Sequence, residues 1–565
     1  MSLPVLALAG AVPILIAFVL LVGIRWSAAR AMGVGWAAAT VLGLAIWRME
    51  TMWWAAAAVY GMLQALEIII IVFGAILLMN HLERSGAVPT IRWHFTRISK
   101  DRRIQLLLVG MGFVTLIEGA AGFGTPGALA APLLIGLGFP PMAAAIFGLY
   151  FNAPQPPFGA AGTPVIGGVG AVIDAATLAD GPTVSQFLDH VTGWTAVVTG
   201  SALLFWGLFG VFLMLHWFGE PERRSLRGAL RQTLPVAPFA LLLGLLAGAT
   251  QLAVAWLFGP ELPDIMAGFV VLGVGIVLSR RGVLMPTDDW TFPGAEGWPE
   301  SWHGGLEVDA EPETEDETDQ HMPALLAWTP YLLVALVLIV TRWPGLDLTE
   351  RLQEFSIDVD RILGQDLSFS LEYLYLPGVL PFIPVAILTG FLHRMDPRSM
   401  AGAWRQTATQ VGGPALTLVI AVSMTQIMIQ SETNQVDVPG MMEALSRVLA
   451  LGAGGAMPLV SPWIGTLGSF MTGSNTSSNI LFSALQHDAA GVVGLPRTIM
   501  VALQNVGGGI GNMLSVLNVA AICGVIGLTG QEGRILRKTA IPTAVYAILA
   551  GLVGLLLTTL LPGLY

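Results

Sequence analysis

Residues 118–127 read Glu118-Gly-Ala-Ala-Gly-Phe-Gly-Thr-Pro-Gly127, and residues 472–479 read Thr472-Gly-Ser-Asn-Thr-Ser-Ser-Asn479. Each stretch of small and hydroxylated residues lies between two apolar arms, spanning 104–138 around the first and 462–487 around the second. Each is followed by an apolar run that Gly, Pro and Asn interrupt. In the first copy the interruption is Asn152-Ala-Pro-Gln-Pro-Pro-Phe-Gly-Ala-Ala-Gly-Thr-Pro164, and in the second it is Gln504-Asn-Val-Gly-Gly-Gly-Ile-Gly-Asn512. Pro140 and Pro496 open these runs, and Thr125 and Thr476 lie near the middle of their tips. Two such units about 350 residues apart mark an internal repeat.

The rest of the chain places this repeat in a membrane. Of 565 residues, 55% are hydrophobic and only 11% are charged, against about 25% charged in soluble domains. Apolar runs of about 20 residues, the length needed to cross hydrocarbon, recur from end to end. The lone cysteine, Cys523, excludes a disulfide framework or a multi-cysteine metal site. No HExxH or paired-histidine spacing occurs. No metal, cofactor or nucleic-acid partner is therefore expected, and the net charge of −11 argues in the same direction on nucleic acid. Residues 1–24 lack the basic n-region and the cleavage site of a signal peptide, so they are expected to form a retained first span.

Helical spans are predicted at about 3–24, 33–47, 57–81, 141–172, 192–217, 233–257, 264–280, 323–341, 375–393, 411–430, 497–528 and 541–561. Short loops rich in Lys and Arg stay cytoplasmic. The clusters Arg84 to Arg103, Arg223 to Arg231, Arg280–Arg281, Arg394 to Arg405 and Arg534 to Lys538 are assigned inside on that rule. The acidic or cation-poor loops 174–190 and 342–374 are assigned outside, which leaves both termini external. The like-charge block Glu307 to Asp319 cannot bury a core, so 284–322 reads as a solvated cytoplasmic linker.

With that orientation, 104–138 enters from the cytoplasm as a re-entrant hairpin and 462–487 enters from outside. The expected fold is an all-α polytopic membrane protein with about twelve spans, two re-entrant hairpins and an inverted repeat. Residues 1–217 and 323–565 form the two repeats, and 218–283 contributes a connecting helix pair. Discontinuous helices meeting at the midplane are the usual binding site of an inverted-repeat secondary transporter. Broken backbone cannot face lipid, so it must line a protein-enclosed cavity.

At these residues the chain resembles the bacterial L-lactate permease family of 2-hydroxy-monocarboxylate transporters. The likeness rests on Glu118 to Pro126 with Ala130-Ala-Pro132, on Gly159-Ala-Ala-Gly-Thr-Pro164, on Phe470 to Asn479, and on Gln504-Asn-Val-Gly-Gly followed by Gly511-Asn-Met513. It spans nearly the whole chain. It implies a bacterial inner-membrane carrier, not an enzyme, that takes up lactate, glycolate or a close relative together with protons. The Ser-Asn-Thr tip is also similar to that of a larger ion-transporter superfamily that includes sodium-coupled carboxylate carriers. Ala153-Pro-Gln-Pro-Pro-Phe158 and Pro126-Gly127 depart from the family pattern where substrate should lie.

Side chains fall into roles on these grounds. Glu118, at the end of an apolar arm, stands where a charge is expensive and usually functional, so it is the first proton-carrier candidate. Its bland alternative is a structural carboxyl bonded to the tip glycines. Glu67, beside Ile68 to Ile71, is the second, with a helix-tying carboxyl as its alternative. Gly122, Gly124, Thr125, Asn152, Gln155, Thr163, Ser474, Asn475, Thr476, Ser477, Ser478, Asn479, Gln504, Asn505 and Asn512 are the expected substrate contacts. They offer hydroxyls, amides and close backbone approach to a small carboxylate. Helix packing by the glycines and helix capping by the Ser, Thr and Asn residues are the competing roles. No arginine lies inside either tip, so carboxylate recognition falls to backbone N–H groups and hydroxyls. Sodium coupling through the oxygens of 472–479 is the rival to proton coupling.

Overall fold

Runs of Ala, Leu, Ile and Val offer no polar side chain to lipid, and only a helix satisfies their backbone within the segment. The computed structural model describes residues 1–24, 26–96, 98–122, 124–173, 178, 182–304, 322–343 and 345–561. Among these, secondary structure is helical apart from one antiparallel ribbon, Ile357–Val359 with Phe369–Leu371. Twelve helices among the described residues are long and apolar enough to span a membrane.

The number agrees with the sequence reading, but the membership differs. Predicted spans 141–172 and 375–393 appear as the short helices Pro141–Asn152 and Gly378–Leu392. Arg102–Ala120 and Met441–Thr472 reach spanning length instead. Pro154, Pro156 and Pro157 remove donors and block helix continuation after Asn152. The helix Met441–Ala453 was not predicted, because Glu443, Arg447 and the glycines after it interrupt the apolar run.

Polar side chains bind the helices to one another. Thr51–Arg84 packs along Pro397–Gln430. Asn80 donates to the Thr407 hydroxyl at 2.8 Å, and Gln426 donates to the Gln64 carbonyl at 2.8 Å. Gly61 lets the pair close up: a methyl group there would stand 2.6 Å from the Ser423 α-carbon. Small residues and buried polar pairs are the usual adhesives between membrane helices.

Two buried ion pairs lie at opposite ends of Leu226–Phe258. At its start, Arg103 pairs with Asp101 at 2.6 Å and donates to the carbonyls of Gln232 and Asp288 at 2.8 and 2.7 Å. Beyond its end, Arg342 pairs with Glu261 at 2.9 Å and lies over the Tyr375 ring. The Arg103 cluster also corrects the reading of 284–322 as wholly solvated. Trp290, Phe292 and Trp302 are buried, and the Trp290 carbonyl accepts from the Arg102 backbone at 2.9 Å. Three aromatic rings bury enough apolar area to dock residues 284–304. The acidic block 307–319 lies outside the described residues.

On a surface loop, Asp396 caps Pro397–Gln430, and hydrogen bonds from Ser399 hold its carboxyl below the usual range. Arg103→Ala is expected to cost about 3–5 kcal/mol, because Asp101 is left buried without its cation. Thermal unfolding in detergent, with Arg223→Ala as the exposed control, measures the loss.

Candidate functional site

The backbone breaks define one place in the molecule. The helix Val114–Ala120 ends at Ala121, and Thr125–Gly136 begins after Gly124, which holds a left-handed φ of 80°. After Asn152 the chain makes a short 3-10 turn at Pro156–Phe158, then runs left-handed through Ala160, Ala161 and Gly162 at φ 43°, 48° and 74°. In the second copy, Met457–Thr472 ends at the left-handed Gly473, and Asn475–Val493 starts behind the cap Ser474. The following helix runs unbroken through the glycines to Gly511 and breaks at 512–515, later than the sequence pattern indicated.

All four breaks meet at one small, open-mouthed cavity. Among the described residues, Glu118, Gly122 and Gly124 line it from the first tip, with Pro156, Gly159, Ala160 and Pro164 from the break that follows. Gly473, Ser474, Asn475 and Thr476 line it from the second tip, and Asn512 from the second break. Phe123 lies outside the described residues.

Seven of the expected site residues therefore reach the cavity: Glu118, Gly122, Gly124, Ser474, Asn475, Thr476 and Asn512. The others stand behind it. Thr125 opens its helix, Thr163 donates to the Ala160 carbonyl, and Asn152 hydrogen-bonds Glu118. Gln155 accepts from Gln251 at 3.1 Å. Ser477 gives its backbone N–H to the Ser474 hydroxyl, so capping and lining share that residue. Glu67 stands apart from the cavity, and the charge acting on it is Glu372.

Behind the second tip is a buried amide network. The Asn505 carbonyl accepts from Asn475 at 3.0 Å and from Asn479 at 2.8 Å. Asn479 also donates to the Pro164 carbonyl at 2.9 Å, and the Asn505 amide donates to Thr195 at 3.3 Å. Gln504 donates to the Ser478 hydroxyl at 3.0 Å and accepts from Gln486 at 2.6 Å. The Asn479 bond to Pro164 ties the second tip to the first broken run. The glycines allow the contact: a methyl at Gly509 would stand 2.8 Å from Pro157, and one at Gly122 would stand 2.9 Å from the Ala160 β-carbon.

The electrostatics of the cavity follow from its parts. The first N–H groups of a helix have no intrahelical partner, and their end of the dipole is positive. Two such ends, at Thr125–Gly136 and Asn475–Val493, abut the cavity, and its described lining holds no Lys or Arg. An anion fits there. One Glu118 oxygen and the carbonyl oxygens of Asn475 and Asn512 have no hydrogen-bond partner.

Two features were not found from sequence. Nothing in a pair of alanines signals the left-handed backbone at Ala160 and Ala161, although the flanking glycines and prolines mark a break. Asp264, expected only as the start of a connecting span, is fully buried beside the helix of Glu118.

Many apolar spanning helices around one small polar cavity built from broken helices define a membrane transport protein of the multi-pass type. The L-lactate permease family profile matches residues 6–561, and the chain belongs to that family. Curated relatives cover most of its length. It is 28% identical to the putative L-lactate permease of Haemophilus influenzae over 87% of each chain. It is 29% identical to the glycolate permease GlcA of Escherichia coli, over 97% of this chain and 95% of that one. The L-lactate permease of Bacillus subtilis is 28% identical, over 94% and 92%.

Asn505→Ala should destabilise the protein by about 1–3 kcal/mol for each of the two amides it orphans. Thermal unfolding of the variant and the wild type in detergent measures the loss.

Proposed function

We propose that the chain takes up L-lactate, glycolate or a closely related 2-hydroxy monocarboxylate by symport with protons. The observation that carries this reading is the meeting of two helix N-termini with Glu118 at one small cavity whose described lining holds no Lys or Arg. The helix ends and the Ser474 and Thr476 hydroxyls receive the carboxylate and the α-hydroxyl. Glu118 carries the proton, since a carboxylate facing an anion in a desolvated site is tolerated best when neutral. The names of the family and of the relatives, lactate and glycolate permeases, support the substrate class.

Residues 1–217 and 323–565 act as inverted repeats around this site, each inserting one re-entrant hairpin, and both termini face outward. Each repeat supplies one tip and one broken run to the cavity wall, as alternating access around a fixed site requires.

Sodium coupling is the second reading. The partnerless carbonyl oxygen of Asn512, a residue of the cavity lining, favours it, because hard cations take oxygen ligands. Labelled L-lactate and glycolate uptake into proteoliposomes separates the two. Acidifying the outside with sodium absent should drive accumulation by the wild type. Glu118→Gln should abolish that accumulation and still exchange labelled for unlabelled substrate. Accumulation that appears only when sodium is added would overturn proton coupling and move the ion site to the second tip.

A further inference from the structure

The molecule holds a second carboxyl at the site, outside the cavity wall. Asp264 lies in the first turn of Pro263–Arg281 and is 0% exposed. Its β-carbon lies against Gly119, the residue after Glu118: a methyl group on Gly119 would stand 2.8 Å from it. One carboxyl oxygen accepts from Gln251 at 2.7 Å, and the other has no hydrogen-bond partner. Among the described residues it forms no ion pair with Lys, Arg or His.

An ionised carboxylate so placed would face several kcal/mol of burial cost with one amide to offset it. The groups around Asp264 make that cost larger. Glu118, on Val114–Ala120, is a like charge acting on it. Tyr546, on Glu532–Leu560, is neutral and has no hydrogen-bond partner of its own, and Asp264 acts on it. Ala237–Phe258 offers only the Gln251 amide, and Glu261, one turn earlier, is already paired with Arg342.

The Gln251 amide that binds Asp264 also donates to Gln155, whose neighbour Pro156 lines the cavity. A bonded path of two amides thus runs from the carboxyl to the cavity wall. A structural carboxyl that only ties helices together would leave this arrangement without a use for its unbonded oxygen, and an asparagine would serve as well.

We propose that Asp264 is a second proton-binding group of the transport cycle, paired by charge with Glu118 so that the two carboxyls never ionise together. One proton stays on the pair while the other is exchanged with the cavity. This rests on the proton-coupled reading above and adds a second proton-binding group to it.

Infrared difference spectroscopy of the purified full-length protein tests the protonation directly. A protonated-carboxyl C=O band that Glu118→Gln leaves in place and Asp264→Asn removes is the expected result. A spectrum that Asp264→Asn leaves unchanged would overturn the proposal. Should Asp264→Asn fail to fold, Gln251→Leu deletes the bond to the same carbonyl and should move the band; an unmoved band would equally overturn it.

In proteoliposomes, Asp264→Asn should lower the ratio of pH-driven accumulation to substrate exchange by about tenfold, within the usual range of coupling between two sites. Asp264→Glu should restore much of it, whereas a purely structural role would lower both rates together and leave the ratio at the wild-type value. If the wild type itself does not accumulate substrate on a pH gradient, the proton-coupled reading fails. The infrared result still decides whether Asp264 holds a proton.

Discussion

Every part of this structure answers to one constraint: in hydrocarbon, a backbone N–H or C=O without a partner costs several kcal/mol. A transport site needs such groups, because unwound backbone is what offers N–H and C=O to a small solute. The protein reconciles the two by surrounding broken segments with unbroken ones. The most apolar window of Arg102–Ala120, which leads to the first tip, is 100% buried, while that of Leu3–Gly23 is 28% buried. Continuous helices such as Leu3–Gly23 are left to face lipid, and the interrupted ones are held within the protein.

Bringing four interruptions to one cavity requires close backbone approach, and here the glycines act mainly as spacers. Gly507, Gly508 and Gly511 let Arg497–Gly511 settle against Met457–Thr472 and Asn475, where a methyl group would stand within 2.3 Å of its neighbours. The amides of Asn475, Asn479 and Asn505 then lock the second copy together, and Asn479 also bonds across to the Pro164 carbonyl of the first. The cavity wall is thus built by packing, and both copies contribute polar residues to it: Glu118 from one, and Ser474, Asn475, Thr476 and Asn512 from the other.

Much of this was legible in the chain. The interruptions at 118–127, 152–164, 472–479 and 504–512 stand out because Gly, Pro, Asn and Ser are rare within apolar runs. The hydroxyls of the second tip have a double use, as caps and as lining, that the residue types already allowed. Other features were not legible. Met441–Ala453 carries Glu443 and Arg447 within its turns, so hydropathy does not mark it. Residues 284–304 have a loop-like composition, yet their aromatics find a groove beside Phe139. The exact point where the second run breaks depends on packing, since glycine permits a helix as well as a break.

The sequence by itself determined that the protein crosses a membrane many times, and it marked the two small-residue stretches from which Glu118 and the Ser-Asn-Thr tip come to line the cavity. Those features are written in composition and local pattern, which act along the chain. Only the tertiary structure decided which groups face the cavity. It sets Asn152, Gln155, Asn479 and Asn505 one layer back as supports, separates Glu67 from the site, and brings Asp264 from a distant helix to the side of Glu118. The physical reason is that a side chain's role in a membrane core depends on which partner satisfies it. For these residues the partner is tens to hundreds of positions away in the sequence.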